Sequence, residues 1–229
     1  MSKKHIVLII LFILPVVIYL FFASGVYNFT HLPEVTKNVS ETSRFKDAQG
    51  NSVSLSDKVT LLGFLGNDVL KRKSNVYNLH QEVYKGNYIY DDTFQVLMLM
   101  PEGTQDKVNI LLEDLSNYTE IKNWKFAFGQ PEDIKRVFNS LKGLGGLAND
   151  LGTSEVFIID KERNVRCNTE DKDLKSKGYN TASIAVVRKK LDDDLKMVIA
   201  EYKLALKKNY KVSRRDSFLK INEKKKNEK

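Results

Sequence analysis

Phe94 to Met100 reads FQVLMLM and is ended by Pro101, with Gln95 its only polar residue. Successive side chains of a strand point to opposite faces, so a strand can be apolar throughout only where both faces are covered. This segment therefore demands a central strand held between two layers. Val59 to Leu65, VTLLGFL, makes the same demand, and Trp124 to Phe128 supplies a further strand. Between them lie stripes with helical spacing: Val76, Leu79 and Val83; Val108, Leu111, Leu112 and Leu115; Ile134, Val137, Phe138 and Leu141. A long final stripe runs from Ile184 through Val187, Leu191, Leu195, Val198 and Tyr202 to Leu206. Apolar strands alternating with amphipathic helices specify an α/β layered fold. Glu155 to Asp160 and Val165 to Cys167 read as a hairpin across Lys161 to Asn164, and RFKDAQGNSVSL as another turned at Gly50-Asn51, so the sheet should be mixed. Ser74 is placed to cap the first of the body's helices, and Pro131 opens the third.

Ahead of this body, Ile6 to Ala23 carries no charged residue and follows Lys3 and Lys4. Such a run is near the minimum that spans a hydrocarbon core. The preceding lysines place residues 1–5 in the cytoplasm and the rest of the chain outside it. The run is longer than the usual apolar region of a cleaved signal, and no small-residue cleavage site follows it, so an uncleaved anchor is expected. Residues 24–42 read as a polar link containing the sequons at Asn28 and Asn38.

The net charge of +8 sits mostly at the ends: Lys207 to Lys229 holds ten Lys or Arg against three Asp or Glu. The body between the ends is near neutral, which argues against a nucleic-acid-binding face. The basic tail, residues 209–229, reads as disordered and suited to anionic lipid or an acidic partner. Cys167 is the only cysteine, so an intramolecular disulfide and a thiolate ligand set are both excluded. His5, His31 and His80 are too scattered for a metal triad, with His80 read on a helix surface. The acidic run Asp192-Asp193-Asp194 reads as a solvated face, and Gly143 to Asp150 as a helix stop and loop without the Gly-Lys-Ser/Thr ending of a phosphate loop.

In open α/β sheets, binding and chemistry sit at the carboxyl ends of the strands. Here that place is Gly66-Asn67-Asp68, directly after Leu65. The segments FKDAQGNSVSLSDKVTLLGFLG, NWKFAFGQPEDIKRVF, VFIIDKERNVR and LKMVIAEYKLALKKN, in their order between Arg44 and Asn209, resemble the Sco/SenC family. These are thioredoxin-like copper-handling proteins that assist assembly of cytochrome c oxidase, and a single N-terminal anchor fits them. The resemblance implies a Cys-x-x-x-Cys just after the strand, which falls here at Asn67 and Lys71. It also implies a copper-binding histidine before the second hairpin, which falls near Gly152 to Ser154. None of these positions carries the ligand.

Copper(I) selects soft thiolates, and an amide, an ammonium and a glycine cannot stand in for them. Thiol–disulfide exchange needs two thiols as well. The expected organisation is a cytoplasmic start at 1–5, an anchor at 6–23, a linker at 24–42, a thioredoxin-like domain with a mixed sheet flanked by helices at 43–208, and the tail. The expected function is a non-catalytic accessory or scaffold in cytochrome oxidase assembly on the periplasmic side of a bacterial-type inner membrane, with no cofactor and no catalytic residue. The alternatives are an envelope enzyme using Cys167 and an envelope interaction protein unrelated to copper.

Overall fold

The computed structural model describes residues 3–23, 31–84, 88–117, 120–143, 145–169 and 177–206. The chain divides into two compact units between Thr30 and His31. The first unit holds helix α1, Lys3–Ala23, with Pro15 inside it. Of this helix, Lys4 and the side chains of residues 11–20 are described, all of them exposed. Among the described residues no helix is long and apolar enough to cross a membrane. The sequon at Asn28, residues 24–30 of the expected linker and the tail from 209 onward lie outside the described residues.

The second unit is built on one mixed sheet of seven strands: β1 (Glu34–Thr36), β2 (Val59–Leu65), β3 (Phe94–Pro101), β4 (Trp124–Gly129), β5 (Gly152–Ile159), β6 (Val165–Arg166) and β7 (Tyr179–Asn180). The order is β1-β6-β5-β2-β3-β4, with β7 on β5. β2, β3 and β4 are parallel, whereas β5 runs antiparallel to β2 and carries β6 by a hairpin. A parallel β-α-β unit joined to an antiparallel hairpin and a closing helix is the thioredoxin-like arrangement expected.

The apolar strands β2 and β3 are buried at every position, and alternation divides their side chains between two cores. Leu61, Leu65, Val96, Met98 and Met100 face one side, which is covered by α2 (Lys73–Leu79), α3 (Gln105–Ser116) and the closing helix over 184–206. Leu62, Phe64, Leu97 and Leu99 face the other, covered by α4 (Pro131–Ser140) and by Val39, Phe45, Val53 and Leu55. Helix α5 begins at Ile184–Val186, widens by a π turn over Val187–Leu191 and continues through 192–206.

Four expectations are corrected. The body starts well before residue 43: Leu32, Thr36, Val39 and Thr42 are buried, and β1 pairs with β6. The reason is that Glu34–Thr36 pairs along β6 and completes a sheet edge that the hairpin leaves open, drawing Leu32, Val39 and the threonines inward with it. RFKDAQGNSVSL forms a turn with Gly50 at φ 82° but only one bridge, Lys46 with Ser52, because Lys46 also pairs with Phe128 at the edge of the sheet. Ser74 caps nothing, since a 3₁₀ turn over Val69–Arg72 already precedes α2. Asp192 and Asp194 are buried, each accepting a hydrogen bond from a buried tyrosine: Tyr88 at 3.3 Å and Tyr179 at 2.5 Å. Burial and the neighbouring carboxylates raise both phenols above their ordinary range.

Candidate functional site

The carboxyl end of β2 leaves the sheet at Gly66, which takes φ 72°, and a side-chain carbon there would lie 2.5 Å from the Asp150 carbonyl oxygen. Glycine is required on both counts. Asn67 N–H then donates to that same carbonyl at 2.7 Å, tying the β2–α2 junction to the loop before β5. Asn67 and Lys71, where the resemblance puts thiols, are exposed. Asn67 carbonyl accepts from Lys107 Nζ on α3 at 2.9 Å, and Lys71 N–H donates to Asp68 at 3.2 Å within the 3₁₀ turn.

The space behind them is filled by Arg72. Its side chain is 7% exposed and faces Asp150, which is 21% exposed. The guanidinium donates to Asp150 Oδ2 at 2.5 Å, to Asp150 Oδ1 at 3.0 Å and to the Leu65 carbonyl at 2.9 Å. A bidentate charge-assisted pair of this kind is directional as well as strong. Hydrogen bonding from Arg72 holds the Asp150 carboxyl below its ordinary range; the Gly152 N–H and the charges of Arg72 and Lys71 act in the same sense against partial desolvation.

Gly152 completes the arrangement. It pairs with Leu65 across a register shift, and a side-chain carbon on it would lie 2.4 Å from the Arg72 guanidinium carbon. At Gly152, the first of the three residues near which the resemblance puts a histidine, a side chain would therefore meet Arg72. The donor set here comprises an amide, an ammonium, a guanidinium and one carboxylate already paired to it. It does not fit copper(I), and among the described residues no group of three His, Cys, Asp or Glu is placed to hold a metal.

Sequence reasoning missed Arg72 and Asp150. Arg72 sits in KRK, a run that looks solvated, yet Val69, Arg72, Val76 and Leu79 are spaced three or four apart, which sets Arg72 on the buried stripe. That periodicity was the available signal; Asp150 had none. His80 is not on the helix surface expected of it. The π turn His80–Tyr84 widens the helix so that both Leu79 and His80 turn inward, and the imidazole packs against the rings of Tyr84 and Trp124. His31 lies at the far end of the sheet, 3.0 Å from Glu201. Cys167 is 1% exposed, its Sγ 3.7 Å from the Asn168 carbonyl.

No family model matches the chain, and no protein of curated function matches it. Solved structures are similar to it. A SCO1/SenC family lipoprotein from Bacillus anthracis is 14% identical, over 74% of this chain and 98% of its own, with a TM-score of 0.49. BsSco, a member of the Sco family of cytochrome c oxidase assembly proteins, is 16% identical over 74% and 95%, with a TM-score of 0.48. A thiol:disulfide interchange protein from Bacteroides sp. is 23% identical over 57% and 78%, with a TM-score of 0.39.

Proposed function

We propose that the chain is a membrane-anchored, non-catalytic thioredoxin-fold protein of the Sco/SenC kind. In this reading it serves as an accessory or scaffold in respiratory cytochrome oxidase assembly, with its body on the periplasmic side of a bacterial-type inner membrane. The observation that carries the reading is the Arg72–Asp150 pair lying over Gly152 at the carboxyl end of the central strand. Asn67 and Lys71, to which the resemblance assigns thiols, carry none, and the Arg72–Asp150 pair behind them supports a role as surface for binding. The oxidase setting and the anchor rest on the sequence resemblance and on the uncharged run Ile6 to Ala23. A reading as an envelope enzyme is disfavoured by the burial of Cys167, since a reactive thiol needs access and an electropositive setting.

Purification of the full chain from native membranes in mild detergent, with identification of what accompanies it, tests the proposal. Oxidase subunits or their assembly proteins are expected in stoichiometric amounts, at the same level for Cys167→Ser. Rapid alkylation of Cys167 in the native protein, together with loss of a thiol–disulfide activity in Cys167→Ser, would overturn it.

A further inference from the structure

We draw no further inference here: the strongest candidate, the small cavity between β2, β5 and α2 lined by Asn75, Met98, Thr153 and Thr181, carries nothing, because its volume of about 10 Å³ takes no more than one water-sized group and nothing in the structure shows what ligand would enter it.

Discussion

Replacing Asp150 with Ala removes the partner of a guanidinium that is 7% exposed and leaves it one acceptor, the Leu65 carbonyl. Breaking a buried ion pair from one side costs about 3–5 kcal/mol, because the remaining charge is stranded. Arg72 retains one of its three hydrogen bonds, which favours the lower part of that range, so about 3 kcal/mol is expected for Asp150→Ala. Arg72→Met strands the more exposed partner instead. At 21% exposure Asp150 can rehydrate, and about 2 kcal/mol follows from the lost charge-assisted hydrogen bonds. The double variant should cost no more than Asp150→Ala, giving a coupling of about 2 kcal/mol in a double-mutant cycle. In thermal unfolding of residues 31–206 at neutral pH, the Asp150→Ala loss corresponds to a melting shift of roughly 6–12 °C. The pH dependence has a defined sign. Because the folded carboxyl is depressed, its contribution is fully present above the unfolded pKa of about 3.9 and is lost as pH falls through the lower folded value. The gap between wild type and Asp150→Asn should therefore close only in acid. Equal stability of Asp150→Ala and wild type at neutral pH, or single-variant costs that simply add, would refute the clamp.

The layered body was legible because its signals are local and periodic. FQVLMLM and VTLLGFL state their own two-sided burial, and the stripes of α3 and α4 lie where Val108, Leu111, Ile134 and Val137 put them. What escaped depends on pairs far apart in sequence. Arg72 and Asp150 are 78 residues apart, and neither local stretch announces the other. Tyr88 and Asp192, 104 residues apart, likewise help turn a charged-looking helix face inward. The end of the buried strand was legible at Gly66-Asn67, but the Arg72–Asp150 pair beside it required tertiary structure.

Three further outcomes are expected. A fragment of residues 31–206 should melt cooperatively, whereas one beginning at 37 loses the buried Leu32 and strand β1 and should be less stable by about 2–3 kcal/mol in urea unfolding. Leu97→Ala in the fully buried central strand should cost about 2–5 kcal/mol by the same measurement, and a cost near zero would contradict the two-sided core. For topology, a reporter fused after Leu206 should be active only if it works outside the cytoplasm, and activity of a cytoplasmic reporter there would refute the orientation.

The claim that the chain, with Asn67 and Lys71 where the resemblance assigns thiols, holds no copper(I) site is tested most directly by titrating copper(I) into the reduced chain against a competing chelator. The wild type and Cys167→Ser should be indistinguishable, with no stoichiometric uptake, since one buried thiol cannot complete a copper(I) site. Asn67→Cys/Lys71→Cys should gain tight one-to-one binding if those positions face each other at the strand-to-helix junction. Stoichiometric, tight binding by the wild-type chain would contradict the account.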